Sequence, residues 1–241
     1  MITHLSEWAK RKPQAPFFCV QGDKQSIEYS YRRAHIAAAA LARELERYGM
    51  TANGTLACTM YNGTELVLLS LAAAYGGYTL ALLNPRLSAD ERQLRLVELE
   101  NATGEHGMDV LTNQMVNRLL IDATGFDATG FGLLPDDAAV LTRLQVELEQ
   151  TVQCYQERFD GDNAGLVIFT SGSSGTPKAA FLTWNSLMGS DAGANEVLRY
   201  EEHGVWQMVL PLCHVGGFQI LVRTLLSGNT FIVYERYQPQ R

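Results

Sequence analysis

Apolar residues recur at intervals of three and four from Tyr31 onward: Tyr31, Ala34, Ala38, Leu41, Leu45 and Tyr48. That spacing puts them on one face of a helix, while Arg32, Arg33, Arg43, Glu44, Glu46 and Arg47 fall mostly elsewhere. Gly49 is suited to end it. The pattern then changes period. Residues 55–62 (TLACTMYN) read as a strand, 64–75 as a helix and 78–83 as a strand again. Ser88 and Glu91 have capping-box spacing, which starts another helix at Ser88. Residues 108–113 (MDVLTN) read as a further strand. Leu66 to Leu83 carries no charge over 18 residues, the lower limit for a membrane span. Gly76 and Gly77 split that run and Asn84-Pro85 closes it, so a buried helix, a turn and a buried strand account for it.

The middle is less regular. Residues 123–132 (ATGFDATGFG) nearly repeat themselves and have the composition of a turn-rich surface connection. Residues 141–155 fit a helix or a strand. Glu147 and Glu149 are two apart, so on a helix they do not share a face, and they are not read as a catalytic pair. Past 165 the pattern sharpens. GLVIF (165–169) reads as a buried strand, with Val167 to Phe169 central in its sheet, and AAFLT (179–183) as a second strand. Thr183 or Asn185 is placed to cap a helix from about 186. Residues 206–212 and 229–234 read as strands, and 216–228 as a helix ending at Gly228. Strands alternating with helices predict an α/β fold with at least one mostly parallel sheet, and no linker divides the chain.

Composition narrows the function. The 241 residues are 46% hydrophobic and 19% charged, enough for a filled core in one large domain or two small ones. A net charge of −7 argues against a nucleic-acid partner, while leaving room for a local donor-rich pocket for a small anion. Cys19, Cys58, Cys154 and Cys213 form no C-x-x-C pair, which suits reduced thiols in a cytoplasmic protein. His214 lies beside Cys213 without a second ligand pair, so no structural metal is expected. The start, MITHLSEWAKRKPQ, has no apolar signal core, and no membrane partner is expected.

The segment TSGSSGTPK (170–178) concentrates short hydroxyl donors, two glycines and a lysine directly after a buried strand. Glycine lets the backbone approach a ligand closely, and hydroxyls and a lysine suit a triphosphate. It is not a Walker loop, because Pro177 stands where that motif needs glycine. From residue chemistry alone it is either a phosphate cradle or a plain connection between strands.

FTSGSSGTPKAAFLTWNSL (169–187) resembles the signature loop of the adenylate-forming superfamily: acyl- and aryl-CoA synthetases, luciferases and the adenylation domains of peptide synthetases. Thr170 to Lys178 match that loop throughout. One departure follows, because the histidine usual after the next threonine is Trp184 here. Three further segments resemble the superfamily in order: 27–50, 68–91 (LLSLAAAYGGYTLALLNPRLSADE) and 210–218 (LPLCHVGGF). The likeness covers most of residues 1–236 and is weakest over 101–160. The 210–228 run and the short N-terminal region most resemble the 2-succinylbenzoate–CoA ligases of menaquinone synthesis.

The resemblance implies the front half of a large N-terminal domain, with mostly parallel sheets flanked by helices, so that residues 1–241 are a partial AMP-binding domain. It implies ATP, Mg2+ and coenzyme A as reactants and a small carboxylic acid as substrate. Thr170, Ser171, Gly172, Ser173, Ser174, Gly175, Thr176 and Lys178 would contact the nucleotide's phosphates. Lys178 would do so directly or by bracing the loop. His214, with Gly216 and Gly217, would line the acid side. The amino-group-binding aspartate of peptide-synthetase domains has no counterpart in PLCHVGG, which favours an acyl or aryl acid. The superfamily's Tyr-Gly-x-Thr-Glu segment, ribose-binding aspartate, hinge and lid with its lysine have no counterpart in 1–241. The expectation is therefore a chain inactive alone, which self-associates or pairs with a C-terminal half. The other readings are a non-catalytic nucleotide-binding or scaffold module and one piece of a split enzyme.

Overall fold

In the computed structural model, residues 1–22, 26–124, 138–171, 176–201 and 203–234 are described. Two sheets share them. The five-stranded sheet is built from β3 (Thr55–Thr59), β4 (Thr79–Leu83), β5 (Val110–Leu111), β6 (Ala164–Ser171) and β7 (Pro177–Thr183), in the order β5-β3-β4-β6-β7. Its first four strands run parallel, and β7 returns antiparallel to β6. The four-stranded sheet takes β1 (Pro16–Gln21), β2 (Ser26–Ser30), β8 (Val205–Met208) and β9 (Thr230–Tyr234), in the order β2-β1-β9-β8. There β1 and β2 are antiparallel, while β9 runs parallel to both β1 and β8.

The helices are α1 (Ile2–Arg11), α2 (Tyr31–Arg47), α3 (Thr64–Gly76), α4 (Ala89–Thr103), α5 (Asn113–Thr124), α6 (Ala138–Arg158), α7 (Trp184–Leu198) and α8 (Val215–Ser227). α3 is buried along its whole length, as expected of a helix that is apolar all round. It packs against α2, α5, α6, α1 and β4. Alternation along the parallel strands sorts the side chains by face. Leu56, Cys58, Leu80, Leu82 and Leu166 join the main core with α2 and α3. Ala57, Ala81, Leu83 and Val167 meet Leu99 of α4 on the opposite face. The parallel sheet is thus covered on both sides.

Local signals fixed the helix starts. Ser30 caps α2 through the Arg33 N–H at 3.3 Å. The Ser88–Glu91 capping box is closed reciprocally at the start of α4. Thr183, rather than Asn185, caps α7. α8 ends at Gly228, whose φ of +73° suits glycine and where a Cβ would lie 2.6 Å from the Trp8 ring.

Several expectations change. The 55–62 strand ends at Thr59, and 108–113 contracts to two residues, Val110–Leu111. The 206–212 strand stops at Met208, ahead of Pro211, which cannot donate to a ladder. Residues 141–155 are helix, inside α6. Val167–Phe169 lies in β6, an interior strand flanked by β4 and β7. Val167 is buried there, while Ile168 and Phe169 are half-buried. Of the near-repeat 123–132, Ala123 and Thr124 end α5 and the rest lies outside the described residues.

His35 on α2 is buried, with Nδ1 2.6 Å from the Tyr75 hydroxyl. Burial, with Lys10 adding to it, lowers its pKa from 6.5 to about 4. Between those values the unfolded chain binds a proton that the folded chain refuses, so stability falls as pH drops from about 6.5 to about 4. The difference is about 3 kcal/mol. Denaturant melts of wild type and His35→Gln at pH 7 and pH 4 should show a steeper acid loss in wild type, and equal losses would contradict the assignment.

Candidate functional site

The parallel strands place their carboxyl ends on one side, where ligands bind in open α/β sheets. The connections leaving those ends are 60–63 after β3, 84–88 after β4, 172–176 after β6 and 209–214 after β8. The two sheets meet here. Asn62, after β3, accepts the Leu212 N–H at 2.9 Å and donates to the Leu210 carbonyl at 3.3 Å.

TSGSSGTPK runs from the end of β6 to the start of β7. Thr170 stands opposite Lys178, and Ser171 opposite Pro177. Thr170, Thr176 and Lys178 are exposed, while Pro177 is buried. Cross-strand partners share a face, so Thr170 and Lys178 leave the sheet together. Gly172, Ser173, Ser174 and Gly175 lie outside the described residues. The hairpin base is fixed from three directions. Thr79 Oγ1 donates to the Ala164 carbonyl at 2.9 Å. The Ala179 N–H of β7 donates to Glu98 of α4 at 3.4 Å. Trp184, the residue in place of the expected histidine, is buried over Gly165, where a Cβ would lie 2.4 Å from the indole. Its ring also meets Phe218 of α8, with centroids 6.4 Å apart. This tryptophan therefore ties the hairpin to the helix that begins at the His214 segment.

His214 is exposed at the N-cap of α8. Its N–H donates to the Pro211 carbonyl at 3.0 Å, and its own carbonyl accepts from Gly217 at 2.9 Å and Phe218 at 3.0 Å. Gly216 and Gly217 differ. A Cβ on Gly216 would lie 3.0 Å from the flexible end of Leu210. A Cβ on Gly217 would lie 2.2 Å from the Pro211 carbonyl oxygen. Glycine at 217 is demanded by the close approach of the loop backbone to α8. Cys213 beside His214 is buried, and burial pushes its thiol up despite the nearby Arg86.

The hydroxyl and lysine groups at the hairpin turn fit an anion. Among the described residues no group of three or more His, Cys, Asp or Glu could hold a metal ion. No helix among the described residues is long and apolar enough to cross a membrane. A cavity of about 940 Å³ lies at the other end of β3, lined by Tyr48, Met50, Thr55, Met108, Met115 and Leu119 among others, and includes none of the candidate residues. Asn62 and the Trp184–Gly165 contact were not singled out in the sequence. The Asn-Gly pair between a strand and a helix was the one local signal for the first.

The profile of the AMP-binding enzyme family matches residues 5–241. A 2-succinylbenzoate–CoA ligase of Staphylococcus aureus is 24% identical over 219 residues, covering 88% of this chain and 44% of that protein. A ligase of the same name from Bacillus cytotoxicus is 28% identical over 184 residues, covering 76% and 34%. The solved structure of O-succinylbenzoate coenzyme A synthetase (MenE) from Bacillus subtilis, in complex with ATP and magnesium ion, superposes with a TM-score of 0.71 at 19% identity, covering 98% of this chain and 57% of that one. The chain spans less than half the length of the curated relatives it matches.

Gly217→Ala should cost about 1–3 kcal/mol, the usual range for forcing a methyl into filled space. Gly216→Ala should stay within about 0.5 kcal/mol. Thermal melts of the two variants check this, and equal melting temperatures would refute the contact.

Proposed function

We propose that this chain, which belongs to the AMP-binding enzyme family, is the front part of the large domain of an ATP-dependent carboxylic acid–CoA ligase. The observation that carries the reading is the match of residues 170–178, between β6 and β7, to the superfamily's loop, within a family match over residues 5–241. In this reading the acid's carboxylate oxygen attacks the α-phosphorus of ATP. The bond to the bridging oxygen breaks, pyrophosphate leaves, and an acyl-adenylate remains. The thiol of coenzyme A then attacks the acyl carbon and releases AMP, giving up its proton to solvent.

The chain's own residues would act by positioning and charge neutralisation. Thr170, Ser171, Gly172, Ser173, Ser174, Gly175 and Thr176 supply hydroxyl and N–H donors to the β- and γ-phosphates. Lys178, directly opposite Thr170, adds a positive charge at the base of the turn. Magnesium, when bound to the nucleotide, neutralises phosphate charge. His214 and Gly216 face the acid, and Gly217 holds the loop that carries them. The ligase relatives and the lack of an aspartate in PLCHVGG favour an aryl acid such as 2-succinylbenzoate. Residues 1–241 then form a partial AMP-binding domain, completed by further polypeptide from the same chain or a partner.

A titration of the purified chain with Mg-ATP tests the cradle. Replacing Ser173 and Ser174 together by alanine removes two charge-assisted hydrogen bonds, at about 1.5–3 kcal/mol each. Affinity should fall by about a hundredfold or more, and ATP–pyrophosphate exchange by the completed enzyme should fall alike. Melting should hardly change. Unaltered nucleotide affinity would return the segment to a plain hairpin connection.

A further inference from the structure

We infer that Asn62 is a positioning residue that sets the His214 segment, and with it the acid side of the proposed site. The consequence for acid binding rests on the ligase reading; the positioning does not. One amide bridges two backbone groups of the segment, donating from Nδ2 to the Leu210 carbonyl and accepting at Oδ1 from the Leu212 N–H. These are the bonds a neighbouring strand would make. They occur where no strand continues, since β3 has ended at Thr59 and β8 at Met208. A side chain thus extends the link between the two sheets to the place where their connections face a ligand.

Both ends of the bridge are themselves fixed. On the Asn62 side, the Tyr61 N–H donates to Asn113 Oδ1 at 3.3 Å, and Asn113 Nδ2 donates to Glu65 on α3 at 3.2 Å. Gly63, the next residue, is the N-cap of the buried α3. On the other side, Pro211 lies against Gly217 and accepts the His214 N–H. The stretch Leu210–His214 is therefore held between Asn62 and the first turn of α8. His214 sits two residues beyond the bridged Leu212, so a shift of the bridge carries its ring with it. Asn62 is half-buried and outside the hydrophobic core, so its removal opens the segment without unpacking the interior.

The test uses the 241-residue chain. In Asn62→Ala, amide exchange over 209–214 should rise about tenfold or more, as expected for two lost hydrogen bonds. Asn62→Asp keeps the acceptor, so Leu212 should retain most of its protection. In parallel, titration with 2-succinylbenzoate in the presence of Mg-ATP should show about a tenfold loss of acid affinity in the alanine variant, with Mg-ATP affinity within about twofold. Unchanged exchange over 209–214 would overturn the inference, as would equal loss of both affinities. If the wild-type chain binds neither ligand, the acid-side consequence fails for this chain by itself, and the exchange result alone supports or overturns the positioning role.

Discussion

The burial of α3 is the constraint on which the other elements depend. A 13-residue helix with every residue buried cannot sit on a surface and must be enclosed. α2, α5 and α6 enclose it with α1 and β4, and a single core runs from the aromatic face of the four-stranded sheet (Phe18, Tyr29, Phe231) to Leu56, Leu80 and Leu166 of the parallel sheet. Because α3 follows β3 directly, enclosing it also fixes Tyr61, Asn62 and Gly63, the connection that reaches the second sheet. The geometry at the carboxyl ends is therefore inherited from the interior.

The candidate loop depends on that interior through a second route. Trp184 fills the space over Gly165 and touches Phe218, so the hairpin and α8 are referenced to one aromatic side chain. Burying an indole of that size removes a large apolar area from water, and its replacement of the usual histidine gives up a polar ring for a packed joint. The exposed groups, Thr170, Thr176, Lys178 and His214, are presented from this frame without belonging to it.

Much of this was legible in the sequence where a local rule has a local cause. The periodicity from Tyr31, the Ser88–Glu91 box, Thr183 and Gly228 each marked an element whose boundary depends on nearby backbone groups. The loop at 170–178 and the LPLCHVGG segment were legible as a likeness to the family whose profile matches residues 5–241. What escaped were features set by distant partners. The ambiguity at 141–155 was settled by Leu144, Leu148 and Tyr155 packing into the core on one helical face. The bridge from Asn62 to Leu210 and Leu212 spans 148 and 150 positions, and no single-sequence pattern encodes such a pair. Gly217 was placed on the acid side by resemblance alone, and its contact with the Pro211 carbonyl, where a Cβ would lie 2.2 Å away, was not foreseen. A glycine reports only that something comes close.

The four-stranded sheet has a consequence for how the chain is made. β1 pairs with β9 in parallel register, and Thr230 Oγ1 donates to the Pro16 carbonyl across 214 positions. At ribosomal rates of about 5–20 residues per second, β1 waits roughly 10–40 s for that neighbour. During this interval the β1–β2 ribbon carries Phe17, Phe18, Val20 and Tyr29 without the partner that will cover them. The parallel sheet meanwhile has its strands β3, β4 and β5 already synthesised. The first parallel strands are thus available to pair before the four-stranded sheet can be completed, and the N-terminal ribbon lacks its β9 cover until that strand emerges.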